Sequence, residues 1–276
     1  MASRGTLAAA RDGIALLGVA FGAWQATILR PDGLTLADPG AYLRAGTALL
    51  HGGTVYVGLI GDSTAVSYAP PWIVLFAALT LLPPMLVQLL FVTGDFVALW
   101  YVAGSWRGVG YAMFWPWTVS SLLSGNIDLL IAAAIVVAWR RGTTWPLVFA
   151  AYAKVAPLLA IPLHSWRRSL IAVVLLLAAT LPWAWLWPQW VAYLLRQPVA
   201  VPAGIHIAWE LRLPVALLLL AAVRRPWAAA VAVVIAMPSL YPPTSMVAFA
   251  AIRLWLDERA VAPAGSDHLA EVRANA

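Results

Sequence analysis

An all-α, polytopic transmembrane helical bundle is the fold class this sequence predicts, on three observations. Hydrophobic residues make up 63% and charged residues 10% of the 276-residue chain, a balance far outside that of soluble domains. Uncharged runs such as Leu170 to Leu195 and Pro226 to Ile252 supply the roughly 20 helical residues needed to cross about 30 Å of hydrocarbon. Between such runs the arginines come as short pairs, Arg140-Arg141, Arg167-Arg168 and Arg224-Arg225, the mark of cytoplasmic loops under the positive-inside rule. The net charge of +6 is thus spread over loops instead of forming one basic face, so the expected partner is the lipid bilayer and not nucleic acid. Cysteine is absent, which excludes disulfides and thiolate metal sites. Arginine in place of lysine and abundant alanine fit a GC-rich bacterial gene.

Arg4 and Arg11 precede an apolar segment from Gly13 to Leu29, read as a first helix running from inside to outside. No convincing small-x-small cleavage site stands before Arg30, and the later topology needs an anchor here, so it is not read as a removable signal. The stretch from Ala37 to Trp72 then lies on the outer face, and the chain is organised around it. With its flank it gathers Arg30, Asp32, Asp38, Arg44, His51, Asp62 and three tyrosines in an otherwise apolar protein. Within it, DPGAYLRAGTALL reads as an amphipathic helix on the outer surface. Pro70 and Pro71 open a membrane helix, because the missing proline N–H would be unpaired at a helix start anyway.

That helix runs to about Leu82, and a Leu82-Pro83-Pro84 turn separates it from another over Met85 to Ala103. The aromatic and glycine-rich run GSWRGVGYAMFWPWTVSSLLSGN suits an outer interfacial or re-entrant segment, after which Ile127 to Trp139 returns inward. Between the first two arginine pairs, Gly142 to Trp166 is broken by Pro157. A hairpin of two short helices, with Lys154 near its tip and both pairs inside, fits better than the alternative, one kinked span. Ser169 to Trp187 crosses outward, WPQWVAYLLRQPVAVPAGIHIAWE forms a second outer segment with interfacial tryptophans, and Leu211 to Val223 returns. Trp227 to Leu240 goes out, Tyr241-Pro242-Pro243 turns, and Thr244 to Leu256 comes back. The polar tail 257–276 is expected to be disordered and cytoplasmic. The sum is about nine membrane segments, several shorter than a full span, which implies a bundle that encloses a cavity or sits obliquely.

Few residues could carry chemistry. Asp38 is either an N-cap ahead of Pro39 or a general base at the membrane edge, where partial desolvation suits it to accept a hydroxyl proton; the two roles are compatible. At about 100° per residue, Tyr42 lies only about 40° around the helix from Asp38, and Arg44 about 120°. Tyr42 is therefore the expected neighbour of Asp38, while Arg44 is either a phosphate ligand or a headgroup contact. Lys154, the only lysine, sits in the apolar run AYAKVAPLLAIP, and an intramembrane cation implies an anionic partner, a phosphate or a buried carboxylate; snorkelling is its bland alternative. Asp128, after Asn126, opens a helix as a dipole partner. Asp95, inside Phe91 to Trp100, is expected to pair with another charge, and Glu210 and Arg212 to sit at the interface. His51, His164 and His206 show no metal-site spacing, and neither a phosphate-cradling glycine loop nor a GxSxG elbow is present.

The ordered runs DPGAYLRAGTALLHGGTVY, SYAPPWIVLFAALTLLP, SGNIDLLIAAAIVVAWRRG and FAAYAKVAPLLAIPLHSWRRS resemble the polytopic glycosyltransferases of family 87, in the GT-C superfamily. That group contains the polyprenyl-phosphate-mannose-dependent mannosyltransferases of the bacterial cell envelope. The resemblance covers Asp38 to Arg168, about half the chain. It implies a single GT-C-like membrane domain over 1–256 with its outer-face catalytic segment at 30–71, in a multi-pass plasma-membrane protein with both termini cytoplasmic. It also implies transfer of mannose or another hexose from a polyprenyl-phosphate donor to a lipid or glycan acceptor, with inversion. In that pattern Asp38 is the base, Lys154 meets the donor phosphate, and Tyr68, Asn126 and Asp128 line the substrate pocket; the helix-face argument adds Tyr42 to that pocket and keeps Arg44 as a further candidate for the phosphate. Tyr68, Pro70 and Pro71 match the tyrosine-proline-proline block, and Lys154 and Pro157 the lysine-x-x-proline block. Asn126 stands where glutamine is usual and Asp128 where asparagine is usual. No cofactor or metal is implied, because the phosphate is itself the leaving group. A transporter or flippase of lipid-linked sugars, needing a similar cavity and buried charges, is the rival from another class, and a short inactive homologue is a third.

Overall fold

The computed structural model describes residues 4–29, 37–59, 65–197, 207–237 and 241–261. Arg30, Asp32, Asp62, His206, Leu240 and residues 262–276 lie outside the described residues. Among those described, every regular element is helical: α1 (Arg4–Ile28), α2 (Ala37–Leu50), α3 (Pro70–Leu79), α4 (Pro84–Ala103), α5 (Trp106–Met113), α6 (Pro116–Ser124), α7 (Asp128–Arg141), α8 (Trp145–Ala153), α9 (Trp166–Ala179), α10 (Leu186–Leu195), α11 (Trp209–Ala222), α12 (Pro226–Ala236) and α13 (Ala248–Val261), with short 3₁₀ turns between some of them. Proline punctuates the starts of α3, α4, α6, α8 and α12, where its missing N–H costs nothing.

Two described helices are long and apolar enough to cross a membrane, over Gly5–Ile28 and Pro84–Ala103. A third candidate arises if α6 and α7, bent by 100° at their junction, count as one span. The about nine segments expected from the apolar runs therefore reduce to two or three by this measure. Proline and glycine cut the other runs into helices too short to span hydrocarbon alone. Outward faces of α1, α9 and α11 expose Leu16, Leu17, Ile171, Leu175, Leu211 and Leu218, a surface that suits hydrocarbon better than water.

The bundle has two ends. At one, Arg140 pairs with Asp257 at 2.7 Å and Arg253 with Asp257 at 3.2 Å. These contacts extend α13 to Val261, into the segment read from sequence as an irregular tail. At the other end lie Asp38 and Lys154. α4 and α7 run in the same direction, since Gly94 approaches Leu130 and the Arg140 guanidinium stands 6.0 Å from the Tyr101 ring centroid. Gly104 accordingly lies against Arg253, so 104–126 starts at the Arg140 end and not, as expected, beside Asp38. It climbs back along α1, where Arg107 bonds Asp12 and Gly110 meets Ala15 and Gly18 backbone to backbone.

The expected hairpin of 142–166 takes a modified form. α8 rises antiparallel to α7 and stops at Lys154, and the return is a 3₁₀ turn over Ala156–Ala160 instead of a second α-helix. By Ser169 the chain is back beside the start of α8, with the Ser169 hydroxyl 2.9 Å from that of Thr144. Both arginine pairs, Arg140-Arg141 and Arg167-Arg168, consequently flank the same end.

Candidate functional site

Asp38 sits in the first turn of α2, where a carboxylate complements the free N–H groups of a helix start. Ala41, Tyr42, Ala45 and Leu49 form the buried face of that helix. Gly46 brings α2 close to α3: a Cβ there would lie 2.5 Å from the Phe76 carbonyl. Tyr42 stacks on Phe76 with ring centroids 4.4 Å apart. Arg44 lies on the exposed side of α2, away from the residues that set the charge balance around Asp38. The separation of about 120° from Asp38 around the helix accounts for this.

The opposite wall of the site is the α6–α7 junction. Gly125 ends α6 with φ +67°, and a Cβ on it would come 2.8 Å from Pro39 Cγ, so a residue with a side chain there would push the start of α2 away. Asn126 Oδ1 accepts from the Asp128 N–H at 3.0 Å. That bond turns the Asn126 amide group outward, and the Asn126 side chain hydrogen-bonds Asp38. Lys154, in extended backbone just past α8, donates from Nζ to Asp128 Oδ1 at 2.5 Å. The Asp128 side chain is 1% exposed and that of Lys154 19%, so the lysine is the more open of the two.

Burial pushes the Asp38 carboxyl up to about 6, against the attraction of Lys154 and the Asn126 hydrogen bond and with help from the charge of Asp128. Tyr42 and Tyr68 share a hydrogen bond at 3.1 Å between their hydroxyls. Burial holds both phenols well above their ordinary range, which keeps them neutral. The segment carrying Tyr68 is tied from three sides. Ala69 N–H donates to Tyr152 O at 2.8 Å, Tyr56 to Tyr68 O at 3.1 Å, and the Trp190 indole to Ser67 O at 2.8 Å.

Of the residues singled out from sequence, Asp38, Tyr42, Tyr68, Asn126, Asp128 and Lys154 thus share one end of the bundle. Two expectations change. Asp95 on α4 is fully buried and does not pair with a cation: neither carboxyl oxygen has a hydrogen-bond partner among the described residues, and its charged neighbours are Asp128 and Asp38. A carboxylate inside a 20-residue apolar helix was the signal for it. Arg212, expected at the interface, has its side chain buried in the protein; it donates to the carbonyls of Ile207, Ile235 and Met237, closing the C-terminal end of α12. Tyr56, Tyr152 and Trp190, which hold the Tyr68 segment, gave no sequence signal, since each is one aromatic among many.

Chemically, the arrangement offers a carboxylate able to take a proton near neutral pH beside an anchored ammonium. Asp128 occupies one of the three ammonium hydrogens, leaving the others for an anion. No protein-family model, curated protein or solved structure matches this chain.

Proposed function

We propose that the protein is a membrane glycosyltransferase. It moves a hexose from a polyprenyl-phosphate donor to an acceptor hydroxyl on the extracytoplasmic side of the plasma membrane, with inversion. The observation that carries this reading is the convergence of Asp38, Asn126, Asp128 and Lys154, from distant stretches of chain, at the end opposite the arginine pairs. In the proposed step Asp38 takes the acceptor proton as the hydroxyl oxygen attacks the anomeric carbon. The bond from that carbon to the phosphate oxygen breaks, and Lys154 meets the charge left on the polyprenyl phosphate. Tyr42, Tyr68 and Asn126 shape the pocket around the sugar, and Arg44, on the open side of α2, contacts lipid headgroups or the approaching donor. The short helices add to the long spans to make the multi-pass, GT-C-like bundle of about nine segments, with the arginine-rich end and both termini cytoplasmic.

The test is transfer of labelled hexose from defined polyprenyl-phosphate sugars by membranes carrying the protein. Wild type is expected to transfer and Asp38→Asn not to; equal rates would sink the mechanism. A second reading, a transporter or flippase of lipid-linked sugars, is favoured by one observation, the unpaired carboxyl of Asp95 within a spanning helix, since buried carboxylates in membranes often serve proton relays. It predicts translocation of the lipid-linked sugar in reconstituted vesicles with no covalent transfer, and loss of translocation in Asp95→Asn.

A further inference from the structure

Beside the Tyr68 segment the structure holds a groove of about 410 Å³ between the 52–56 turn and α10, a size typical of small-molecule sites. Its walls include Gly53, Tyr56, Trp185, Gln189, Tyr193 and Arg196. Tyr56 and Tyr193 stack at 5.6 Å and are almost wholly buried, forming the floor, while Trp185 is 44% exposed at the rim. On the facing wall Gly52 and Gly53 leave room beside Thr54. Among the described residues no carboxylate lines the groove.

We propose that this groove is the acceptor subsite and takes a hexose-containing oligosaccharide, an inference that rests on the transferase reading above. A pyranose presents an apolar C–H face and a rim of hydroxyls. The exposed indole matches the first, and the Gln189 amide and Arg196 guanidinium, with five donors between its nitrogens, match the second. Position supports the same ligand. The Tyr56 hydroxyl donates to the Tyr68 carbonyl at 3.1 Å, and Trp190, also on α10, bonds the Ser67 carbonyl at 2.8 Å. Tyr68 in turn shares a hydrogen bond with Tyr42, one turn along α2 from Asp38. Both walls of the groove are therefore anchored on the segment that borders the base. A flat belt of interfacial aromatics facing lipid headgroups would not need the concavity.

The experiment titrates the full chain in nanodiscs with manno-, gluco- and galacto-trisaccharides by calorimetry, beside the transfer assay. At least one trisaccharide is expected to bind, and Trp185→Ala/Gln189→Ala is expected to weaken it, and to raise the acceptor KM, by about tenfold or more. Asp38→Asn is expected to bind that sugar like wild type. Absence of binding by all three, or binding and acceptor KM unchanged in the double variant, overturns the subsite. If the double variant loses only its affinity for anionic vesicles, the groove is a lipid contact and the proposal also falls. Sugar binding that the double variant abolishes, in a protein that transfers no hexose, would keep the groove and remove the transferase reading.

Discussion

At the scale of single residues, Asp38 has opposite effects on stability and on chemistry. Burial raises its carboxyl from the ordinary 3.8 to about 6, so the folded chain holds that proton more tightly than the unfolded chain. The stabilisation it brings is complete below the unfolded value and is lost as pH rises through about 6. Asp38→Asn, which cannot ionise and still accepts from Asn126, is expected to melt at a higher temperature than wild type at pH 7.5 while transferring no sugar. The wild-type rate is expected to rise with pH through a midpoint near 6, an acid limb that a pH series of the transfer assay reads directly. Lys154 behaves differently, because Asp128 is buried and depends on it. Lys154→Ala strands that carboxylate and is expected to cost about 3 kcal/mol, seen in thermal unfolding. Asp128→Asn combined with Lys154→Met removes both charges and is expected to recover most of that loss without recovering activity.

At the scale of elements, two glycines separate backbone strain from site geometry. Gly125 and Gly142 both end helices at positive φ, but a Cβ at Gly142 meets nothing within 4 Å, whereas one at Gly125 meets Pro39. Gly142→Ala is expected to lose about 1 kcal/mol in thermal unfolding with normal transfer. Gly125→Ala is expected to lose more, and to lose transfer as well, because the start of α2 and Asp38 must move. Proline starts, the break at Lys154 and the surface-exposed side of α2 were all legible in the residues, since each follows from local backbone chemistry. The direction of α4 was not. Nothing local in Met85 to Ala103 reports which end of the bundle it reaches; its tertiary contacts, Gly94 with Leu130, Tyr101 with Arg140 and Gly104 with Arg253, decide that. The same holds for Arg212, whose three carbonyl partners come from two separate segments.

At the scale of the whole molecule, the arginine pairs gather at one end and the polar cluster at the other, an asymmetry that the sequence already carried in its loops. The chain lacks cysteine, so single-cysteine variants report sidedness without background. Thr54→Cys, at the Asp38 end, is expected to react with an impermeant maleimide in intact cells, and Thr143→Cys, beside Arg141, only after lysis. The reverse pattern would turn the protein over in the membrane and move its chemistry to the cytoplasm. The candidate site was readable residue by residue, but its completeness was not, because Asp95 and the ties to Tyr68 depend on how distant helices pack. The pairing of Asp128 with Lys154, 26 residues further on, also bears on biogenesis. While the ribosome is still synthesising α8, α7 carries an acid whose counter-ion does not yet exist, a costly group to release into lipid on its own. If α7 and α8 are membrane segments, α7 is therefore expected to be released together with α8, with its buried acid already paired.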